Sequence, residues 1–367
     1  MVDSLKVKIG NLEFSMIQGG MGVGISLSGL ASAVANCGGA GIIASVAIGT
    51  SKGYPGSYIE ANNNALRDEI ETARKMSNGV IGVNIMRALT NYKDLVKVAV
   101  EEKVDLIISG AGLPLDLPNL VGNAPIKLIP IVSSQKAAEI ITKYWSRKHN
   151  KIPDAIIVEG PKAGGHLGFK FDDLINNKIP ALENIVKEVV NFGNNSDYFK
   201  TPIPIIAAGG IYTGADIAKY LKLGATGVQM ATRFVTTKEC DATNMFKWAY
   251  INASKEDIQI IKSPVGMPGR AIVNPFLKKV MRGDKIDFDC KYKCLETCNP
   301  RESPYCIADA LIEVQQDDFT RGFIFAGANA YKATKDSCLD ESKNFISVET
   351  LMQRILDEYT SSIKHNK

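Results

Sequence analysis

Eight short apolar runs, separated by helix-like segments, restrict the fold of this 367-residue chain more than any other feature. They are residues 14–18, 41–45, 80–84, 106–109, 127–132, 155–159, 203–207 and 227–230. Strands that are buried on both faces have such continuous apolar sequences, because neither face alternates with water. Eight alternations of strand and helix predict an α/β fold of the (β/α)8 TIM-barrel type.

A doubly wound open sheet is the alternative architecture. Its dinucleotide fingerprint, Gly-x-Gly-x-x-Gly, does not follow the first run, which leads only into a glycine-rich stretch at residues 20–24. After Thr237 the alternation stops. We therefore predict a barrel domain over residues 1–237. A helical, cysteine-bearing C-terminal extension over residues 238–367 is expected to pack near the active-site mouth of the barrel.

Composition and charge exclude several other classes of protein. Lys and Arg number 43 against 39 Asp and Glu, so a nucleic-acid-binding protein is not expected. Residues 14–51 carry no charge, but nine glycines interrupt them, which argues against a membrane-spanning helix. Seven cysteines, behind an N-terminus without an apolar signal-like core, indicate a reducing, cytoplasmic location.

Glycines and small polar residues follow the last two apolar runs, where a TIM barrel commonly binds phosphate. Gly209 and Gly210 follow the seventh run, and Ala231 and Thr232 follow the eighth. Glycine lets the backbone approach an anion, and the helix beginning near Thr213 would add free N–H groups. Tight turns explain either pair taken alone, but the two pairs together predict a phosphate site.

The ends of the other runs are suited to a flat ligand that lies across the barrel mouth. Gln18 and Asn84 carry amides that can donate to and accept from a heteroaromatic ring, while Gly19 and Gly20 leave room for it. Gln229 lies near the end of the last run. Alternatively, the amides of Gln18 and Asn84 cap loops or stabilise turns without contacting a ligand. A ring here and a phosphate at the last two runs together fit flavin mononucleotide (FMN).

His166 is the strongest candidate for a catalytic residue. The chain has three histidines, and this one lies in a glycine-rich loop after the sixth run. Imidazole titrates near neutrality, so His166 can take up or release a proton at working pH. A structural loop histidine is the alternative. Nearby Lys162 is expected to be solvated rather than catalytic.

Four cysteines of the extension are closely spaced, at Cys290, Cys294, Cys298 and Cys306. Four-residue spacing would stack the first three on one face of a helix, where they could gather a metal ion or an iron–sulfur cluster. The spacing matches none of the common ligand motifs. We therefore expect buried small side chains and no metal site.

Five motifs resemble those of the nitronate monooxygenase family, which also contains the flavin-dependent enoyl-acyl-carrier-protein reductases. They follow in the family's order as residues 17–22, 82–84, 159–168, 206–211 and 224–234. The Ala-Gly-Gly-His piece that ends at His166, taken with the last two motifs, is quite specific. Residues 270–274 resemble a further family element beyond the barrel. The resemblance implies a barrel with bound FMN, an active-site histidine at His166 and Gly165 near the flavin.

The activity that the resemblance implies is FMN-dependent oxidation of alkyl nitronates by O2 to carbonyl compounds and nitrite. The alternative is NAD(P)H-dependent reduction of enoyl thioesters in fatty-acid synthesis, because the motif around His166 resembles that branch as well. An acyl carrier protein is a partner only under this alternative, with Lys278, Lys279 and Arg282 as candidate contacts. A flavin-binding sensor or electron-transfer module is a third interpretation. The oligomeric state is open, with a homodimer among the options.

Overall fold

The computed structural model describes residues 5–195 and 201–364 of the chain. Its strands are β1 (Val7–Ile9), β2 (Leu12–Phe14), β3 (Ile17–Gln18), β4 (Ala40–Ala44), β5 (Val80–Met86), β6 (Leu106–Gly110), β7 (Lys127–Val132), β8 (Ile156–Glu159), β9 (Gly165–His166), β10 (Ile205–Ala208), β11 (Gly227–Met230), β12 (Ile258–Lys262), β13 (Pro268–Ile272) and β14 (Ile324–Phe325). Its α-helices are α1 (Ser28–Asn36), α2 (Ile48–Ser51), α3 (Tyr58–Met76), α4 (Tyr92–Glu101), α5 (Leu117–Val121), α6 (Gln135–His149), α7 (Phe171–Ile175), α8 (Leu182–Gly193), α9 (Gly214–Lys222), α10 (Thr232–Val235), α11 (Asn244–Asn252), α12 (Pro275–Met281), α13 (Ile307–Glu313), α14 (Lys335–Cys338) and α15 (Val348–Lys364).

Eight parallel strands close into a barrel in the spatial order β10-β11-β3-β4-β5-β6-β7-β8. Each of them overlaps one of the predicted apolar runs, and the predicted TIM barrel is confirmed. Ile42, Ile108 and Ile157 fill its interior, while a second apolar cluster lies between the strands and the surrounding helices. Both faces of each strand therefore contact apolar atoms, which explains why the runs show no alternation.

The antiparallel hairpin β1–β2 closes the N-terminal end of the barrel. Val7, Ile9 and Phe14 belong to the same apolar cluster as Ile17, which lies in a barrel strand. The first predicted run began at Phe14, but Phe14 lies in β2, and the barrel strand β3 contains only Ile17 and Gln18. Hairpin and strand merge into one run in the sequence because both bury apolar side chains against the same core.

The extension builds a small antiparallel sheet beside the barrel mouth. Strand β13 pairs with β12 and β14, and its other partner is β9, which follows barrel strand β8. Among the described residues, none of β12, β13 and β14 joins the barrel. The extension thus packs at the mouth, as expected. The predicted domain boundary after residue 237 stays a prediction.

Helix α15 lies in the ring of helices around the barrel, where it packs against α9 and α1. An ion pair secures its position. The Arg233 side chain, only 8% exposed, donates to both carboxylate oxygens of Glu358 at 2.9 and 3.0 Å. Glu358 also accepts the N–H of Gly214 at the start of α9, at 2.8 Å. One carboxylate therefore joins the end of the chain to the loops after β10 and β11.

No described helix combines the length and the apolar character that crossing a bilayer requires.

Replacing Glu358 by Gln is expected to lower the free energy of unfolding by about 2 kcal/mol, because Arg233 loses its counter-charge in a largely buried place. Urea unfolding followed by circular dichroism measures the change. The control is Asp357→Asn on the same helix, where the carboxylate accepts from Gln353 at an exposed position. Its expected loss is below about 0.5 kcal/mol. Equal losses in the two variants would contradict the role given to Glu358.

Candidate active site

A cavity of about 270 Å³ opens at the carboxyl ends of the barrel strands. Its base is formed by the loops that follow the strands, and its roof comes from the extension. The structure places ten of the eleven predicted site residues on its wall, namely Gly19, Gly20, Asn84, Gly165, His166, Gly209, Gly210, Gln229, Ala231 and Thr232. Residues far apart in the sequence therefore surround one space, and their individual roles stay predictions.

Gln18 takes a different place from the one expected. Its side chain is fully buried, and it is not among the residues that line the cavity. The amide oxygen accepts the N–H of Ile42 at 2.9 Å, and the amide nitrogen donates to Ser26 Oγ at 3.0 Å and to the carbonyl of Gly19. Gln18 thus holds β3, β4 and the glycine loop together, and its contact with a flat ligand stays a prediction.

Gly209 and Gly210 form a backbone cradle at one side of the cavity. Both have φ of +92°, a conformation that favours glycine. A Cβ at Gly210 would lie 2.7 Å from Lys162 Cβ, and one at Gly209 would lie 2.9 Å from the carbonyl oxygen of Gly160. Any larger residue would therefore clash here, so the bare backbone faces the cavity.

The start of helix α9 does not contribute the free N–H groups that were expected. The N–H groups of Tyr212 and Thr213 donate to Asp216 Oδ2 at 3.0 and 2.8 Å, and that of Gly214 donates to Glu358. Two carboxylates of the chain itself occupy this helix end. An anion in the cavity would instead meet the Gly209–Gly210 backbone and the start of α10 at Ala231 and Thr232, on the neighbouring strand.

A segment of the extension, residues 326–329, supplies a wall that sequence reasoning missed. Asn329 Nδ2 donates to the carbonyl of Gly210 at 2.7 Å, and the N–H of Ala328 donates to the carbonyl of Lys162 at 3.0 Å. A Cβ at Gly327 would lie 2.9 Å from Thr232 Oγ1. The sequence signal that could have indicated this wall is the run of small residues Ala-Gly-Ala-Asn, which directly follows the apolar residues of β14.

His166 is fixed by the extension as well as by its own loop. It lies opposite Gly269 in the β9–β13 pairing, and one ring nitrogen shares a hydrogen bond of 2.8 Å with Ser263 Oγ. The edge of the Phe325 ring packs against it, with the ring centres 4.9 Å apart. Burial lowers the pKa of His166 to about 4. The imidazole is therefore neutral at neutral pH.

Arg270 clamps the loop that leads to His166. Its Nη1 donates to the carbonyls of Pro161 and Ala163, at 2.6 and 2.8 Å. Burial lowers the pKa of Arg270 to about 10, so the guanidinium stays charged at neutral pH. The sequence marked residues 270–274 as a family element but gave Arg270 no role, and Ser263 was not singled out at all.

Two further polar side chains lie on the cavity wall. Glu159 ends β8, and burial raises its pKa to about 7. Gln229 lies in β11 one residue before its end, and its Oε1 is buried without a hydrogen-bond partner among the described residues. An unpaired buried acceptor inside a cavity indicates a ligand that donates to it.

The four closely spaced cysteines lie near one another, since Cys290, Cys298 and Cys306 all act electrostatically on Cys294. Cys294 lines the cavity, and burial followed by the electrostatic influence of Cys306 raises its pKa to about 12. All seven cysteines are free thiols. In residues 5–195 and 201–364, no group of three or more His, Cys, Asp and Glu side chains is arranged to hold a metal ion.

Comparison with known proteins identifies the family of this chain. The family model described as nitronate monooxygenase matches residues 3–341. A probable nitronate monooxygenase of Staphylococcus aureus strain MSSA476 is 28% identical over 318 residues, which covers 76% of this chain and 81% of the relative.

Two solved structures have the same fold over nearly the whole chain. FabK from Thermotoga maritima is 27% identical with a TM-score of 0.74, and the match covers 97% of this chain and 96% of FabK. A nitroalkane oxidase from Streptomyces ansochromogenes, 18% identical, has a TM-score of 0.72 and coverages of 96% and 98%. The cavity with His166 thus lies in a barrel of known type, and the chain belongs to the nitronate monooxygenase family of flavin-dependent oxidoreductases.

Proposed function

We propose that this chain is an FMN-dependent nitronate monooxygenase, which oxidises alkyl nitronates with O2 to carbonyl compounds and nitrite. The observation that carries the proposal is the neutral imidazole of His166 in the same cavity as the Gly209–Gly210 cradle. The name of the Staphylococcus aureus relative and the family model support it.

The residues present fit a flavin that ends in a phosphate. The Gly209–Gly210 cradle, with Ala231 and Thr232 beside it, would hold the phosphate. The unpaired Oε1 of Gln229 would accept a ring N–H. A Cβ at Gly20 would lie 2.6 Å from Asn84 Cβ, so the base of the cavity is shaped by backbone and leaves room for a flat ring. These features favour FMN as the flavin.

The bound flavin would accept electrons from the substrate and would react with O2. The chain supplies the proton chemistry. Neutral His166 can take the proton from the carbon beside the nitro group of a neutral nitroalkane, which leaves the nitronate anion. The resulting imidazolium then balances the charge of the nitronate, because an anion close by raises the pKa of the ring. Ser263 and Phe325 orient the imidazole for this step.

Glu159 controls the charge of the cavity around neutral pH. Its pKa of about 7 lies above the ordinary value of 4.5, so the carboxyl is neutral below pH 7 and charged above it. A neutral carboxyl tolerates an anionic nitronate, whereas a carboxylate on the same wall repels it. The cavity is therefore more receptive to nitronates on the acid side of pH 7.

An NAD(P)H-dependent enoyl-acyl-carrier-protein reductase is the second candidate. The FabK structure from Thermotoga maritima, 27% identical over almost the whole chain, favours it. His166 would then assist protonation or thioester binding. We place either enzyme in the cytoplasm, because seven free thiols suit a reducing compartment.

Anaerobic reduction of the flavin separates the two candidates. We expect the purified protein to release FMN on denaturation, identified by chromatography. A propyl nitronate should bleach the visible flavin spectrum of the intact enzyme, while NADH and NADPH leave it unchanged. Rapid bleaching by a nicotinamide, with the nitronate inert, would refute the monooxygenase and favour the reductase.

His166→Ala is expected to keep the flavin content of the wild type, because the cradle lies on other loops. Turnover of a neutral nitroalkane should fall by roughly 10² to 10⁴, the usual effect of a positioned acid or base. The loss should be smaller for a preformed nitronate, which needs no proton removed. His149→Ala, at the end of α6 and outside the cavity, is the control. Unchanged turnover in His166→Ala would show that the assignment is wrong.

Glu159→Gln tests the pH dependence. For the wild type, kcat/KM with a nitronate should fall as pH rises through about 7, because Glu159 gains its charge there. The Gln variant cannot ionise, so this fall should disappear while the flavin content stays the same. Glu341→Gln, on an exposed turn, should keep the wild-type profile. A fall of the same size in Glu159→Gln would assign the titration to another group.

A further inference from the structure

Tyr58 carries a polar atom that the proposed chemistry does not use. Its hydroxyl is buried, has no hydrogen-bond partner among the described residues, and belongs to a side chain that lines the cavity. Buried hydroxyl groups are rarely left unpaired, because losing water without a new partner costs free energy. A ligand in the cavity would satisfy the Tyr58 hydroxyl.

The surroundings hold Tyr58 in place. It is the first residue of α3, whose start is fixed by the reciprocal hydrogen bonds of Ser57 and Glu60. The Tyr292 ring of the extension lies against its ring, with centres 5.9 Å apart. Burial, followed by the electrostatic influence of Cys294, raises the pKa of Tyr58 well above its ordinary range. The hydroxyl thus keeps its proton and is available as a donor.

Tyr58 and His166 lie on opposite sides of the barrel mouth. Helix α3 follows β4 in the chain, whereas His166 follows β8. In the closed ring, β4 and β8 are separated by three strands on either side. A ligand that contacts both residues must therefore extend across the mouth.

The wall around Tyr58 is mainly apolar. It comes from the loops after β4 and β5 and from the roof of the extension, and includes Val46, Met86, Leu89, Leu295, Ile307 and Leu311. Most polar groups of the cavity lie towards β8, β10 and β11, at Glu159, His166 and Gln229, while the Asn84 amide on β5 and the Cys294 thiol of the extension reach the other side. The cavity therefore has a polar half, where the reaction is proposed to occur, and a mainly apolar half that contains the Tyr58 hydroxyl.

We propose that Tyr58 is a specificity residue, which donates a hydrogen bond to an acceptor oxygen at the far end of an elongated, apolar substrate. This inference rests on the proposed function and narrows its substrate class. The reacting group lies at His166, an aliphatic stretch crosses the mouth, and an ether, ester or carbonyl oxygen meets Tyr58. A short, unsubstituted nitronate leaves the hydroxyl unpaired.

The test uses inert ligands, so that it does not depend on turnover. A carboxylate has the planar, anionic shape of a nitronate but is not expected to be oxidised. Nonanoate and 7-methoxyheptanoate have the same number of non-hydrogen atoms and differ in one ether oxygen near the far end. Their affinities for the flavin-loaded enzyme follow from changes in the visible flavin spectrum. The affinity ratio, methoxy compound over nonanoate, should fall roughly five- to tenfold in Tyr58→Phe.

Tyr305→Phe is the matched control. The Tyr305 hydroxyl is also buried without a partner among the described residues, but its ring packs against Phe276 and Phe323, away from the cavity. This variant should keep the wild-type affinity ratio. Both Phe variants should unfold at or above the wild-type temperature, because each removes an unpaired hydroxyl.

Several results would overturn the inference. An unchanged ratio in Tyr58→Phe, an equal change in Tyr305→Phe, or failure of both carboxylates to bind the wild type would do so. A lower unfolding temperature of Tyr58→Phe alone would show that the hydroxyl has a partner within the protein. The proposed oxidation of nitronates fails in a different measurement, the anaerobic reduction, and its failure would leave the change of affinity ratio intact.

Discussion

The pairing of a two-residue strand, β9, with β13 of the extension is the constraint on which the site depends. It fixes His166 opposite Gly269 and brings Ser263 and Phe325 to the imidazole. Arg270 lies on the same strand and holds the preceding loop by two carbonyls. The barrel supplies the loop that carries the histidine, but the extension determines where the histidine lies. A barrel domain alone would lack this geometry.

The burial around this pairing also determines the charge states of the site. Without water, the imidazole of His166 loses its tendency to ionise and the carboxyl of Glu159 gains a proton, as their pKa values of about 4 and 7 show. At neutral pH the cavity thus holds a neutral base and a partly neutral acid. Such a cavity suits an anionic substrate better than the ordinary charges of these side chains would.

How much the sequence predicted depends on the kind of contact. The barrel strands were predictable because strands buried on both faces have continuous apolar runs. The exposed backbone at Gly209 and Gly210 was predictable because consecutive glycines favour a left-handed conformation. The hydrogen-bond partners of Gln18 were not predictable. An amide at a strand end can bind a ligand or the neighbouring backbone, and the sequence does not determine the side-chain rotamer that selects between them. Of the two carboxylates that occupy the α9 start, Glu358 is distant in sequence and could not be predicted. Asp216 is local, and its spacing from Thr213 was a capping signal that was overlooked. The wall at residues 326–329 was missed because, like Glu358, it is distant in sequence.

The position of α15 changes how the roof of the cavity can move. Because residues 348–364 lie in the helix ring beside α9 and α1, the extension leaves the barrel after β11 and returns to it before the chain ends. The roof is therefore attached to the barrel at both of its ends. It cannot swing away as a lid on a single hinge, because any movement of the roof must keep both attachments to the barrel in place.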